Sequence, residues 1–169
     1  MKQKLIESPQ FDIRYTNQMD FGSLKRWLTQ PEVRKWFPIT TEKEVDMMTS
    51  NWINFSRYKS SLTATLMSQP IGIVTIFLMP YKKVAHIGMV YIVVDPDYQR
   101  QGIGTNLVKN INHLGKNYFQ LEALHIELYS GSPAIPLFVK SGYYQVLSHP
   151  DYARVNGVKH DRIILETNL

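Results

Sequence analysis

The sequence contains no cysteine, and that absence excludes several kinds of site at once. Without thiols the chain cannot form disulfides, bind a metal through thiolates or attack a substrate with a cysteine nucleophile. It also lacks any run of about 18 apolar residues, the length that a helix needs to cross a membrane. The first residues, MKQKLIESPQFDIRY, lack the apolar centre of a signal peptide. We therefore expect a cytoplasmic protein with no membrane partner and no metal.

Acidic residues are fewer than basic ones, 14 against 19, which gives a net charge of +5. A positive field of this kind favours anionic ligands. The basic residues are scattered along the chain, however, whereas a surface that binds nucleic acid usually clusters them. We therefore expect no nucleic-acid partner.

The length of 169 residues suits a single domain with one core. Hydrophobic residues make up 44% of the chain and charged residues 20%, which is typical of a soluble globular protein. No repeat, low-complexity segment or linker interrupts the sequence. We expect residues 1–169 to form one domain.

Apolar periodicity in the first half predicts a strand, two helices and then a sheet. Alternation over residues 11–16 is typical of a half-buried strand, and helical spacing follows over 24–28. Thr41 and Glu44 form a capping-box pair at the start of a predicted helix over residues 42–57.

Three β-rich runs between residues 61 and 94 predict an antiparallel meander. Gln69 and Pro70 are a predicted turn between the first two runs, and the third run is predicted over residues 84–94. Gly88 interrupts that third run, where a glycine indicates a bulge or a close approach of another group to the backbone.

The second half of the chain alternates helices with strands. The resulting order, β-α-α-β-β-β-α-β-α-β-β, predicts an α/β (α+β) domain with a mixed, mostly antiparallel sheet flanked by helices and one parallel pair at the crossover. The predicted elements are a helix over 103–114, a strand over 123–130, a helix that starts at Ser132 and Pro133 and ends before Gly142, and two strands joined at Asn156 and Gly157.

Two glycines separated by one residue stand in the segment VDPDYQRQGIGTNLVKNI, residues 94–111. A Walker loop would place lysine directly after its last glycine, but Gly104 is followed by Thr105. A dinucleotide fingerprint would place a third glycine where Leu107 stands. Two interpretations remain open: a plain turn, and an anion site at the positive end of the next helix, with Arg100 adding charge.

The six residues QRQGIG, 99–104, resemble the acyl-CoA pyrophosphate motif of the GNAT N-acetyltransferase superfamily. The lead-in VDP at 94–96 and the segment AIPLFVKSGYY at 134–144 resemble further parts of that family, and the order of elements is similar from end to end. The resemblance implies the GNAT fold and an acetyl-CoA-dependent N-acetyltransferase, that is, an acyltransferase. It also implies direct attack of an amine on the thioester.

The resemblance assigns the cofactor site residue by residue. It implies that the main chain of Ile92, Val93 and Val94 pairs with the pantetheine arm of acetyl-CoA like an added strand. Phe138 would flank that arm, and Lys140 would reach toward the nucleotide end. The residues whose amides would hold the pyrophosphate are Arg100, Gln101, Gly102, Ile103, Gly104 and Thr105.

The catalytic positions of the family are matched less well. Many members carry a general base where this chain has Gly88, and a tyrosine that acts as general acid where it has Phe138. The residues that transfer protons in this chain therefore stay unassigned. His86 and Glu127 are the candidate catalytic bases; the alternatives are a histidine at the sheet edge or in the core, and a glutamate that faces solvent. An oxyanion would be stabilised by main-chain N–H groups near Ile92.

The resemblance places the acceptor amine beside Trp36 and Phe37, the helix that starts at Glu42, and the segment 150–161. The aromatic pair could instead belong to the core. We expect the acceptor to be a primary amine of a small molecule, such as an amino acid or a polyamine. A peptide N-terminus, for example that of a ribosomal protein, and a non-catalytic acyl-CoA-binding module are the alternatives. The oligomeric state stays open, a homodimer included.

Overall fold

The computed structural model describes residues 5–169. Residues 1–4 lie outside the described residues. They belong to the predicted domain and to the segment that is predicted not to be a signal peptide. The helices are α1 (Phe21–Thr29), α2 (Pro31–Arg34), α3 (Glu42–Asn54), α4 (Ile103–Asn117) and α5 (Ala134–Lys140). The strands are β1 (Phe11–Tyr15), β2 (Ser61–Leu66), β3 (Gln69–Leu78), β4 (Ile87–Val94), β5 (Ala123–Tyr129), β6 (Tyr144–Val155) and β7 (Val158–Asn168).

The strands form one sheet in the order β1-β2-β3-β4-β5-β7-β6. All neighbouring pairs are antiparallel except β4 and β5, which are parallel and are connected through α4. This arrangement confirms the predicted fold class, including the single parallel pair at the crossover.

Helices cover both faces of the sheet and bury a separate apolar cluster on each. Residues of α4 and α5 pack on one face with the even-numbered residues of β4, such as Val90. Residues of α1, α2 and α3 pack on the other face with odd-numbered ones, such as Val93. Because successive strand residues point to opposite faces, each residue of β4 can be assigned to one cluster or the other.

Two local predictions about turns and caps have clear outcomes. The side chain of Thr41 accepts from the Glu44 N–H, and the Glu44 carboxylate accepts from the Thr41 N–H, which confirms the capping box. The turn predicted at Gln69 and Pro70 is wrong, because both residues belong to β3. The connection is instead Met67 and Ser68, both with positive φ, as a two-residue hairpin loop requires.

Strand β4 begins three residues later than predicted. Residues 82–84 form a 3₁₀ turn, and His86 lies in the exposed turn that precedes β4. No register shift interrupts the pairing of β3 with β4, so the bulge considered at Gly88 does not form. The close approach does occur: a Cβ on Gly88 would lie 2.5 Å from Ile76 Cγ2 and 2.9 Å from Leu124 Cδ2.

Candidate active site

Strands β4 and β5 are paired only at their first residues. Their parallel register runs from Ile87 opposite Ala123 to Met89 opposite His125. Beyond that point β4 stays paired with β3 as far as Val94, and β5 stays paired with β7 along its whole length. The two strands therefore diverge and leave a gap through the sheet.

A cavity of about 550 Å³ occupies this gap, and we call it the main cavity. Its size is that of a typical small-molecule site. Trp36, Phe37 and Glu127 line it on the face of α1 to α3, and Ala134 and Leu137 line it on the face of α5. The main cavity thus runs from one face of the sheet to the other, so that two molecules entering from opposite faces can meet in it.

The free edge of β4 presents the main chain of alternate residues to the main cavity. The Asp95 N–H donates to β3, whereas the His86 carbonyl accepts from the residue that precedes β5. Because N–H and C=O groups alternate in direction along a strand, those of Ile92 and Val94 point into the gap. The main chain of Val93 is directed toward β3. Of the three residues predicted to pair with pantetheine, Ile92 and Val94 are therefore suitably oriented, and Val93 is not.

The loop after β4 brings the start of α4 to the main cavity. Gly102 is the N-cap residue, has a φ of 85°, and provides no side-chain cap, so the first N–H groups of the helix have no capping partner. Arg100 also has a positive φ, of 61°. Four of the six predicted pyrophosphate residues line the main cavity. They are Arg100, Gly102, Gly104 and Thr105.

The other two pyrophosphate residues do not line the main cavity. Ile103 is 1% exposed and packs in the core beneath α4. Gln101 is half-buried and lies outside the lining. Their predicted contribution was a main-chain amide, and Ile103 supplies the first amide of α4, so the lack of side-chain contact leaves that prediction untested.

Hydrogen bonds of side chains hold the loop between β4 and α4 in place. The Gln99 side chain donates to the Val94 carbonyl at 3.1 Å. The buried Asp95 carboxylate accepts from Trp27 Nε1 at 2.8 Å and from the Asp97 N–H at 3.1 Å, which anchors the loop to α1. A loop fixed in this way can bind an anion without a large entropic cost of ordering.

Helix α5 turns Leu137, not Phe138, toward the main cavity. Phe138 is fully buried, and its ring packs edge-on against Tyr143 with a centroid distance of 4.8 Å. Lys140 lies one helical turn beyond Leu137, lines the main cavity and is exposed. Phe138 therefore faces the core and not the main cavity, so the structure does not support the contact predicted between Phe138 and the pantetheine arm.

A cluster of polar side chains surrounds Glu127 on the face of α1 to α3. Arg162 binds the Glu127 carboxylate through Nε at 3.0 Å and through Nη2. Tyr91, Tyr129 and Tyr152 line the main cavity nearby, and Arg162 lies over the ring of Tyr152. Burial, and secondarily the Glu127 charge among others, raises the pKa of Tyr91 and of Tyr129, so both hydroxyls stay protonated at neutral pH.

The two candidate bases are placed very differently. Glu127 lines the main cavity, whereas His86 lies in the exposed turn before β4 and does not line it. The strand predicted over residues 84–94 includes His86, and this is wrong because β4 begins at Ile87. Tyr91 and Arg162 are not among the residues predicted from the sequence, although strict alternation along β4 puts Tyr91 on the same face as Val93.

Gly88 lies on the face of the sheet opposite to Glu127. Its missing side chain would point toward α4, away from the face that carries Glu127.

Among residues 5–169 no group of three or more His, Asp or Glu side chains is arranged to hold a metal ion. None of the helices described within this range combines the length and apolarity required to traverse a bilayer.

Residues 23–143 match the family model described as the acetyltransferase (GNAT) family. No curated protein matches the sequence. Among solved structures, the chain is similar to yncA from Salmonella typhimurium with its cofactor acetyl-CoA, with 14% identity, a TM-score of 0.78, and coverage of 95% of this chain and 94% of that one.

Two further similar structures carry different acceptor names. One is spermidine N-acetyltransferase from Vibrio cholerae in complex with CoA and spermine, with 13% identity, a TM-score of 0.75, and coverage of 95% and 96%. The other is ribosomal-protein-alanine N-acetyltransferase from Brucella melitensis, with 16% identity, a TM-score of 0.74, and coverage of 94% and 99%. At these identities the likeness establishes the fold and does not identify an acceptor.

Proposed function

The chain belongs to the GNAT family of acetyltransferases, and from that premise we propose that it transfers an acetyl group from acetyl-CoA to the primary amine of a small molecule. The acceptor would be an amino acid or a polyamine-like amine. The observation that carries this proposal is the main cavity, which joins the uncapped start of α4 to the cluster around Glu127 through the gap between β4 and β5.

The donor would enter from the side of α4 and α5. The N–H groups at the start of α4 and the positive end of its dipole suit a pyrophosphate, and the Arg100 and Lys140 side chains add charge at the same end. The pantetheine arm would pair with the outward main chain of Ile92 and with the Val94 N–H, because an extended chain with amides can join a free strand edge; the Val94 carbonyl already accepts from Gln99.

The acceptor amine would lie beside Glu127. An amine with a pKa of about 10.4 is mostly protonated at pH 7, and its deprotonation costs about 4 to 5 kcal/mol. Arg162 uses two of the roughly four acceptor sites on the Glu127 carboxylate, which leaves others for the amine or for a relaying water. Glu127 would orient the amine and accept its proton.

The two remaining steps need charge stabilisation and a leaving group. The Ile92 N–H points into the gap and would stabilise the oxyanion of the tetrahedral intermediate. When that intermediate collapses, the C–S bond breaks, the second proton of the nitrogen would pass to water, and CoA leaves as a thiolate, which is tolerable because a thiol has a pKa of about 8.5. Tyr91 and Tyr129 remain protonated and would donate hydrogen bonds to the sulfur.

A thermal shift measurement tests the donor assignment. We expect saturating acetyl-CoA, at about 100 times Kd, to stabilise the protein by roughly 2.7 kcal/mol, which corresponds to a rise in Tm of about 5 to 10 °C. Release of free CoA across a panel of amino acids, polyamines and ribosomal-protein N-terminal peptides then tests transfer. No shift would disprove the donor, and a shift without turnover would favour a non-catalytic acyl-CoA-binding module.

Two further parts of the proposal concern the setting of the reaction. We propose that the enzyme works in the cytoplasm, and that neither nucleic acid nor a membrane is a partner. The basic residues are scattered along the sequence and form no continuous patch in it, which supports the exclusion of nucleic acid. Transfer to a peptide N-terminus is the alternative reaction, and the peptides of the panel distinguish it.

A further inference from the structure

A second cavity of about 330 Å³ lies between α3 and the strands β3 and β4. Pro38 and Tyr91 line both this space and the main cavity, so the two adjoin. Its volume is at the lower end of the range for small-molecule sites and is enough for one side chain of a ligand. We call it the methionine cavity, because Met47, Met48 and Met89 line it.

Aromatic rings complete the apolar walls of the methionine cavity. Phe77 packs against Tyr91 with a centroid distance of 4.9 Å, and Trp52 packs against Tyr91 at 5.6 Å. Aromatic faces and the polarisable thioethers of methionine attract apolar and sulfur-containing groups and adapt to their shape. The lining therefore suits a hydrocarbon, aromatic or thioether substituent.

The one carboxylate in this lining is already engaged. Oε2 of Glu44 accepts from the Thr40 N–H at 2.7 Å, the Thr41 N–H at 2.8 Å and the Thr41 hydroxyl at 3.1 Å. These hydrogen bonds lower the pKa of Glu44, and the positive end of α3 compensates its charge. Apart from Glu44, no charged side chain of the described residues lines the methionine cavity, so the lining favours an apolar group.

Buried hydrogen bonds hold the back wall of the methionine cavity, and its entrance faces solvent. Trp52 is fully buried, and its Nε1 donates to Thr75 Oγ1, which in turn is hydrogen-bonded to Ser61. Met47, at 56% exposure, lies at the solvent side.

We propose that the methionine cavity binds the uncharged, apolar side chain of the acceptor. The acceptor would then be an amino acid or related amine that carries a hydrocarbon, aromatic or thioether group near its primary amine. This inference rests on the proposed function. Tyr91 lies between the two cavities, so the side chain can occupy the methionine cavity while the amine stays beside Glu127.

Acceptor selectivity tests the inference. We measure kcat/KM for CoA release at saturating acetyl-CoA with methionine, leucine, phenylalanine, alanine and spermidine. Leucine, methionine or phenylalanine should exceed both alanine and spermidine by about 10-fold or more, since each buried methylene is worth about fourfold. Equal values, or spermidine as the best acceptor, would overturn the proposal.

A charge at the entrance provides the second measurement. Met47→Lys should lower the ratio of kcat/KM for leucine over alanine by about fivefold or more, because the ammonium group disfavours apolar occupancy. Met19→Lys is the matched control: Met19 is 90% exposed, lines neither cavity and should leave the ratio unchanged. An unchanged ratio in Met47→Lys would also overturn the proposal.

The outcomes separate this inference from the function on which it rests. Acetylation of spermidine in preference to apolar amino acids, with the acetyl-CoA shift in Tm intact, would contradict the methionine cavity and leave the acetyltransferase proposal standing. Loss of both the shift and all turnover would contradict the proposed function itself, and with it the inference.

Discussion

The proposed donor end of the main cavity is built from main chain, whereas its proposed acceptor end is built from side chains. At the donor end, the strand edge at Ile92 and Val94 and the first amides of α4 face the cavity. At the acceptor end, Glu127 and Arg162 form an ion pair among three tyrosines. A site made of main chain needs few particular residue types, whereas a site made of side chains depends on the identity of its residues.

This difference explains why one end is readable in a short motif. Main-chain recognition requires only that the backbone adopt certain dihedrals and that nothing obstructs it, so two glycines and a helix start are sufficient. The acceptor end is assembled from β4, β5, β6 and β7, whose residues extend over the second half of the sequence. Variants that alter each end separately should therefore have separable effects, from loss of cofactor binding down to no effect.

Gly102→Val should abolish the shift in Tm with acetyl-CoA, the largest effect expected. Gly102 has a φ of 85°, and a Cβ would lie 3.2 Å from Ile6 Cδ1, so the loop must move. Gly157→Val is the matched control, since Gly157 has a φ of 80° in the β6–β7 turn and nothing within 4 Å of its Cβ position. Both variants lose stability from backbone strain. If Gly102→Val keeps the shift, the donor end is misassigned.

Glu127→Gln should reduce kcat by about 100-fold or more, as expected when a catalytic base is lost. The amide can still accept a hydrogen bond from Arg162, so the shift in Tm with acetyl-CoA should persist. The control is Glu122→Gln, an exposed glutamate just before β5 that does not line the main cavity. A rate within threefold of wild type would remove Glu127 as the base.

Thr75→Val should lower the free energy of unfolding of the protein by about 1 to 3 kcal/mol, because the buried Trp52 N–H behind the acceptor end loses its acceptor. Urea unfolding measures this free energy. Acetyl-CoA should still raise Tm, since the donor end does not contact Thr75. Thr29→Val, at an exposed position in α1, is the control and should change stability by less than about 0.5 kcal/mol. Equal losses in the two variants would show that the buried hydrogen bond contributes little.

His86→Ala should leave kcat/KM within about twofold of wild type, the smallest effect of the series. Its side chain is exposed in the turn before β4 and does not line the main cavity. A measured pH profile for CoA release should also be unchanged. A loss comparable with that of Glu127→Gln would mean that the turn closes over the acceptor, and the assignment of the base would then pass to His86.

Local chemistry predicted those parts of the fold that depend on neighbours in sequence. The capping box at Thr41, the turn at Asn156 and Gly157, and the helix that starts after Ser132 are each specified within a few residues, and each is observed. The turn at Gln69 and Pro70 was misplaced by two residues. Met67 and Ser68 carry the positive φ angles there, although neither is a residue that favours them.

The candidate site was only partly predictable, for a related reason. The glycine motif located the start of α4, and a β-rich run located the free edge of β4. The face to which a side chain points depends on where its element begins, and an error of three residues at the start of β4 put His86 on a strand that does not include it. Phe138 and Leu137 differ by one helical step, which decides between core and cavity.

The sequence by itself determined the family, the order of the elements and the place where an anion can meet a helix start. The order of the elements follows from periodicity, and the family follows from the resemblance of short motifs, each of which lies within one segment. Only the tertiary structure decided that β4 and β5 diverge, that Arg162 pairs with Glu127, and that a methionine-lined space adjoins the main cavity. Each of these requires groups that are distant along the chain to pack together, and no local pattern records such a contact.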